Sequence, residues 1–351
     1  MPCLSPRTVS FLADGKTLSW SQKNYSKEYA PFQLPCGKCI PCRLEYSRQW
    51  AIRCVHEAKM YEDNCFITLS YSDQNLLSPK LQYSDFQKFI TNIRDTRRQL
   101  MLDTELSPNL TQKEQRSLFK RLPKNIKDRL NKKYHIGYFV CGEYGPQTKR
   151  PHWHAIIFNW KPSDLEFRRT TPLGDKIYTS ESLDSLWGLN DPLQRPSEIG
   201  EVTQQSAGYC ARYAAKKLVH GDDQEHDYHP ISKKSTNPAI GRTFLEHYYK
   251  DMFNYGSVVL EDGTTASIPR YYLKWLQRHK PDEWKHYVTT TKTKAEDYAS
   301  RKQQKETENT TQTNLHRATL GKGAQISRFK VLTTIINNRF KNLQSHLKGD
   351  S

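Results

Sequence analysis

The sequence holds no run of apolar residues long enough to cross a bilayer as a helix, which excludes an integral membrane protein of the helical kind. No apolar leader opens it, so the expected compartment is reducing, the thiols are expected to stay free and disulfides are not expected. It has no internal repeat, so a chain of 351 residues is expected to bury one substantial core rather than a stacked array. Acidic residues are the other shortage: 37 Asp and Glu face 54 Lys and Arg, leaving a formal charge of +17 at pH 7. Such a chain is drawn to polyanions, with an affinity that falls as salt rises. Charge alone leaves DNA, RNA and an acidic membrane surface open. Basic clusters at residues 94–98, 113–133 and 328–348, with aromatic residues elsewhere, suit a binder of single strands.

Two pairs of residues carry chemistry. Residues 65–71, 136–141 and 152–159 are short runs rich in β-branched and aromatic residues, which predicts strands. A strand alternates its faces, so His152 and His154 point one way and Trp153 and Ala155 the other. The Gly- and Pro-containing stretch 142–151 predicts a hairpin that returns Glu143 to the start of the histidine strand. Two imidazoles and a carboxylate without a thiolate suit a divalent ion with open positions, Mg²⁺ or Mn²⁺ for a phosphodiester. Composition alone yields about 0.4 His-x-His pairs in such a chain, so the weight rests on this context. Partly buried sheet histidines bonded to their neighbours are the alternative.

The second pair is Tyr209 and Tyr213, on a segment that predicts a helix capped by Thr203 or Ser206. At about 100° per residue the two phenols lie roughly 40° apart, flanked by Lys216 and Lys217, while Ala207, Ala211, Ala214 and Leu218 form the buried stripe. Arg212 stands between the tyrosines, where it can contact phosphate. Tyrosines shielding the rim of a core are the alternative. A phenol has a pKa of about 10 and needs a cation nearby to act as a nucleophile. A metal at Glu143, His152 and His154 and a lysine at Lys216 or Lys217 supply that need. The product would be a phosphotyrosine ester that keeps the energy of the broken bond, and a second tyrosine allows a second linked transfer.

The ordered runs Phe66 to Tyr71, Gly142 to Gly145, Arg150 to Ala155 and Gly208 to Lys217 resemble the motif set of HUH endonucleases. Within that superfamily the chain is similar to the rolling-circle replication initiators of microviruses, the gokushovirus type above all. The likeness extends over roughly residues 1–275. It implies an α+β chain with a ferredoxin-like or RRM-like antiparallel sheet, helices on one face, and additions at both termini. It implies single-stranded origin DNA as substrate, a 5′-phosphotyrosine intermediate, metal ligands at His152 and His154 with Glu143 less secure, and nucleophiles at Tyr209 and Tyr213. Lys149 and Arg150, just before the histidines, join Arg212 as candidate nucleic-acid contacts. Host helicase and DNA polymerase are the implied partners and the bacterial host cytoplasm the implied compartment, with no membrane involved.

Cys36, Cys39 and Cys42 follow a C-x2-C-x2-C spacing in a Pro- and Gly-containing turn, and Cys3 is the candidate fourth ligand of a structural Zn²⁺. An iron-sulfur cluster is weaker, because the fourth cysteine is missing at its usual offset. Unligated thiols are the alternative. Cys54, Cys65, Cys141 and Cys210 read as small apolar fillers.

Helices are expected over residues 43–60 and, capped by Ser84, over a stretch with Phe86, Phe89, Ile90 and Ile93 at helical spacing. Residues 100–133 and 161–196 read as insertions between sheet elements, and residues 256–263 as a hairpin turning at Asp262 and Gly263. The polar tract 289–313 reads as flexible and residues 326–347 as a basic helix. The expected division is a cysteine-rich segment and helix at 1–60, the endonuclease domain at 61–288 and a basic tail at 289–351. Two other functions stay open: a non-catalytic zinc-dependent DNA-binding protein, and a metal-dependent nuclease that uses water.

Overall fold

The computed structural model describes residues 3–145, 148–172, 174–216, 231–319, 331 and 333–338. These divide into two compact units, one of residues 50–216 and 231–247, the other of residues 3–49 and those from 248 onward.

The second of these units opens with a small sheet of β1 (Arg7–Phe11), β2 (Leu18–Ser19) and β3 (Phe32–Leu34), with β1 in the centre and both pairings antiparallel. Helix α1 (Ile40–Ala58) follows directly from the cysteine turn.

The sheet that matters for function lies in the unit beginning at residue 50. Along the chain come β4 (Asn64–Leu69), α2 (Tyr83–Glu105), α3 (Gln112–Arg121), α4 (Lys124–Lys133), β5 (Gly137–Tyr144) and β6 (Pro151–Phe158). They are followed by β7 (Glu166–Thr170), β8 (Lys176–Thr179), α5 (Glu181–Trp187), β9 (Glu198–Gly200), α6 (Gln204–Lys216), β10 (Ile231–Lys234) and α7 (Arg242–Tyr255). The seven strands pair antiparallel in the order β10-β5-β6-β4-β9-β8-β7.

Alternation divides this sheet into two faces. Cys65, Ile67 and Leu69 of β4, Val140 of β5, Trp153, Ala155 and Ile157 of β6 and Ile199 of β9 join Phe86, Phe89, Ile90 and Ile93 of α2 and Leu183 and Trp187 of α5 in one buried core. The spacing of the four apolar residues on α2 puts them on the stripe that meets the sheet. Gly142 is dictated by this packing: a Cβ there would meet the Trp153 ring at 2.7 Å and Leu81 at 2.9 Å. The indole N–H of Trp153 donates to Tyr71 Oη at 2.9 Å, so the largest core side chain is also satisfied.

The opposite face carries His152, His154, Cys141 and Glu143. It too is covered. Helix α6 packs there, with Cys210 Sγ 3.5 Å from Cys141 Sγ and 3.5 Å from the His154 carbonyl, and Trp50 of α1 stacks on Phe139 at 5.3 Å. Helices on one face alone is therefore corrected: α2 and α5 fill one face, and α6 with part of α1 lies on the other. A β6 strand apolar on both sides, with Ile156 and Phe158 buried behind the histidines, requires that second cover.

Several local expectations change. Ser84 does not cap α2; the helix begins at Tyr83 with Gln82 as cap residue and no side-chain cap bond. Residues 100–133 hold the end of α2 with α3 and α4, which bury Met101, Leu102, Phe119 and Leu130 in a core of their own. The stretch 161–196 lengthens the sheet through β7 and β8 and supplies α5 to the main core.

In the unit continuing from residue 248, the hairpin of β11 (Val258–Val259) and β12 (Thr265–Ala266) turns where expected, with Gly263 at φ +76. Helices α8 (Arg270–His279) and α9 (Pro281–Tyr287) follow. The polar tract is helical: after a short π-helical turn, α10 runs Thr293–Thr319. It contains no Gly or Pro, and Thr310, Thr311 and Thr313 bond back to the carbonyls of Glu306, Thr307 and Asn309, which satisfies hydroxyls in the absence of an apolar stripe. Most of the expected helix at 326–347 lies outside the described residues. No helix among the described residues is long and apolar enough to cross a membrane.

Candidate active site

The hairpin of β5 and β6 sets the geometry. Its register places Glu143 directly opposite His152 and Cys141 opposite His154, so one carboxylate lies between two imidazoles on the same face. Nε2 of His152 and Nε2 of His154 each stand 2.9 Å from the same oxygen, Oε1 of Glu143. The outer nitrogens are held from behind: His152 Nδ1 meets the Arg150 carbonyl at 3.2 Å and His154 Nδ1 meets Thr68 Oγ1 at 3.0 Å.

These partners decide the protonation logic. A carbonyl oxygen only accepts, so His152 Nδ1 carries a proton, and Nε2 is the nitrogen that faces Glu143. Burial pushes the Glu143 carboxyl up, but hydrogen bonds and charge from His152 and His154 outweigh it and bring it down to about 2. Burial depresses His154 below the usual imidazole range, with Glu143 opposing. Both Nε2 atoms face one oxygen of an ionised carboxylate, a place that protons on the rings or a shared cation can fill. The two nitrogens and one oxygen, close enough together to ligate a single ion, fit a divalent metal with positions left for substrate.

Tyr209 reaches the same point. Thr203 caps α6 by accepting from the Ser206 N–H at 3.2 Å, and Ser206 Oγ accepts from the Thr203 N–H at 2.8 Å. Ala207, Cys210 and Ala211 are buried against the sheet, which turns Tyr209 toward the carboxylate. Its phenol donates to Glu143 Oε1 at 3.2 Å. Its ring meets His154 edge-on at 5.0 Å, and the Arg212 guanidinium lies 5.9 Å from the ring centre. Tyr213 and Lys216 belong to α6, but their side chains, and Lys217 altogether, lie outside the described residues.

Arg150 and Lys149 sit in the hairpin before His152. Arg150 pairs with Asp73 at 2.6 Å and donates to the Tyr71 carbonyl at 3.0 Å, while Lys149 takes a left-handed backbone at φ +53. Two residues at the centre were not foreseen as site residues. Thr68 orients His154, and Phe66 stacks parallel to His154 at 5.9 Å and meets Tyr209 edge-on at 6.2 Å. Both lie in the run Phe66 to Tyr71 that carries part of the resemblance, but their place beside the histidines follows from β4 pairing with β6, a non-local register.

The other candidate centre is also assembled. Sγ atoms of Cys3, Cys36, Cys39 and Cys42 all lie within 4.8 Å of one another and can hold a metal ion. Backbone N–H groups point at them: Cys36 N at Cys3 Sγ (3.2 Å), Leu4 N at Cys39 Sγ (3.4 Å), and Lys38 N and Cys39 N at Cys36 Sγ (3.4 and 3.3 Å). Burial raises the Cys36 thiol, but these bonds outweigh it and bring it down to about 6, whereas burial lifts Cys42 to about 12. Cys54, Cys65, Cys141 and Cys210 are unbridged and buried.

A family model described as Replication-associated protein ORF2/G2P matches residues 100–218. The replication-associated protein VP4 of Bdellovibrio phage phiMH2K is 39% identical over 348 residues, covering 99% of this chain and 100% of that protein. The replication-associated protein ORF2 of Spiroplasma virus 4 is 28% identical over 323 residues, 86% of this chain and 88% of the relative. The replication-associated protein ORF4 of Chlamydia phage 1 is 28% identical over 254 residues, 70% of this chain and 54% of the relative. No solved structure matches. On the full-length likeness to the first of these relatives, the chain belongs to the family of phage replication-associated proteins.

Proposed function

We propose that this chain initiates rolling-circle replication of a phage genome as an HUH endonuclease, nicking single-stranded origin DNA through tyrosine and rejoining the ends to release circles. The observation that carries the proposal is one oxygen, Glu143 Oε1, lying 2.9 Å from both imidazole Nε2 atoms and 3.2 Å from the Tyr209 hydroxyl. With α3, α4, β7 and β8 taken as insertions, the order β4-α2-β5-β6-α5-β9 and the spatial order β5-β6-β4-β9 support it as those expected of a ferredoxin-like sheet.

Glu143, His152 and His154 are the residues that would hold Mg²⁺ or Mn²⁺, and such an ion, when bound, draws negative charge from the scissile phosphate. Glu143 fixes the direction of the Tyr209 hydroxyl, and the Arg212 guanidinium near the ring supplies positive charge beside the attacking oxygen. Tyr209 Oη then attacks phosphorus. A P–Oη bond forms as the P–O3′ bond breaks, and in net terms the phenolic proton passes to the departing 3′ oxygen. The 5′ end stays on the protein as a phosphotyrosine ester. Tyr213, one turn further along α6, is the second nucleophile, and Lys216 or Lys217 the accompanying cation. Two transfers of equal bond energy need no ATP.

The Cys3, Cys36, Cys39 and Cys42 centre is assigned to structural Zn²⁺. Tetrahedral zinc thiolate has sulfurs about 3.8 Å apart, and Cys3 and Cys39 stand at 3.7 Å. Host helicase and polymerase, in the host cytoplasm, are the partners this role calls for.

The test is incubation with single-stranded origin DNA and Mg²⁺ or Mn²⁺. The expected product is a protein–DNA adduct that survives denaturation and is absent from the Tyr209→Phe, Tyr213→Phe double variant. Free 5′-phosphate ends without adduct would assign the chain as a water-using nuclease, and binding without cleavage as a passive DNA-binding protein.

A further inference from the structure

Strand alternation forbids two consecutive side chains from sharing a face, yet Arg168 and Arg169 both reach Glu198. Arg168 Nη1 lies 3.3 Å from Glu198 Oε1 and Arg169 Nη2 lies 3.0 Å from Oε2. The cause is a β-bulge: the register of β7 on β8 shifts between Phe167 and Arg169, and the extra residue, Arg168, turns to the side that Arg169 already occupies. Bulges re-aim side chains, and this one gathers two guanidinium groups on one face of an edge strand.

That face is the one carrying the active site. Glu198 pairs directly with Thr68, and Thr68 pairs directly with His154, so the three share a row across β9, β4 and β6. Two strand spacings, ~10 Å, separate the backbone at Glu198 from that at His154. In the neighbouring row of the same face Gly200 of β9 pairs with Phe66 of β4, and Ile177 of β8, which pairs with Arg169, lies beside them. A Cβ at Gly200 would stand 3.6 Å from Ile177 and 3.8 Å from Phe66, so the glycine leaves a shallow apolar floor that ends at the Tyr209 ring. The two arginine side chains remain 37% and 48% exposed, and one carboxylate balances only one of their two charges.

We infer that Arg168 and Arg169, aimed by the bulge and held in place by Glu198, grip a phosphate of the single-stranded DNA one or two nucleotides away from the linkage that Tyr209 attacks. Guanidinium forks match phosphate oxygens, and the ion pair to Glu198 fixes their direction before DNA arrives. The grip rests on the proposed function for its place in the reaction, but not for its existence as a strand-binding feature.

The experiment uses the full chain and a fluorescent single-stranded oligonucleotide, with binding read by anisotropy without added Mg²⁺ or Mn²⁺ across a salt series and adduct formation read separately with Mn²⁺. Each single-strand phosphate contact contributes about 0.7 to the slope of log affinity against log salt. Arg168→Ala with Arg169→Ala is expected to bind roughly tenfold more weakly and to lower that slope by about 0.7, the share of the one phosphate gripped. Glu198→Gln, which frees the second charge, is expected to bind more tightly than the native chain. Unchanged affinity and slope in both variants overturns the inference, as does weaker binding with an unchanged slope. A native chain that binds but forms no adduct sinks the catalytic proposal and leaves the grip to be judged on the binding data alone.

Discussion

Thr68 and His154 face each other across β4 and β6, and the threonine hydroxyl meets the imidazole Nδ1 at 3.0 Å. That contact holds the ring with Nε2 toward Glu143, so the hydroxyl sets the direction in which the imidazole can offer Nε2 to an ion. Thr68→Val keeps the shape and β-propensity and removes the hydroxyl. Manganese affinity is expected to fall roughly 10- to 100-fold, with a parallel loss of nicking at limiting metal. Titration calorimetry with Mn²⁺ checks this.

Tyr209→Phe removes one oxygen and leaves the ring against His154 and Phe66. The hydroxyl's hydrogen bond to the Glu143 carboxylate is worth about 2 kcal/mol, so the melting temperature should shift by only a few degrees. Nicking of origin DNA should fall by orders of magnitude if Tyr209 attacks first, and rejoining should fail if it attacks second. Gel assays of the two steps separate these outcomes.

Removal of metal from the four-cysteine centre should be visible without any DNA. The zinc content of protein purified without chelator is expected to be one ion per chain by mass spectrometry under native conditions. Cys36→Ser should lower it, and a strong chelator should lower the melting temperature of the native chain, because binding free energy at such a centre is folding free energy.

His56 gives a pH signature. It is buried and stacked on Phe244 at 4.0 Å, and burial takes its imidazole down to about 3, from an ordinary value near 6.5. Between those values the unfolded chain binds a proton that the folded chain refuses, so its contribution is complete above pH 6.5 and lost as pH falls toward 3. Denaturant unfolding at pH 7 and pH 5 is expected to show a smaller difference for His56→Gln than for the native chain.

The sequence made the local parts of this site legible. Period-two alternation placed His152 and His154 on one face, turn residues between β5 and β6 returned Glu143 to them, and helical spacing with Thr203 as cap placed Tyr209 on an exposed stripe. What stayed hidden was non-local. The pairing of β4 with β6 that brings Thr68 and Phe66 to the histidines depends on register between strands 85 or so residues apart, and the cover of the second face by α6 depends on how far Cys210 approaches Cys141. The helix over 289–313 was not legible because low hydrophobicity signals disorder, while a stretch without Gly or Pro can close helical backbone bonds without an apolar stripe.

The most direct measurement is mass spectrometric mapping of the tyrosine that carries DNA after reaction with single-stranded origin DNA and Mn²⁺. A nucleotide remnant on Tyr209 or Tyr213, lost when His152 and His154 are replaced by alanine, is the predicted result. Origin DNA cut to free 5′-phosphate ends, with both tyrosines unmodified, would contradict the account.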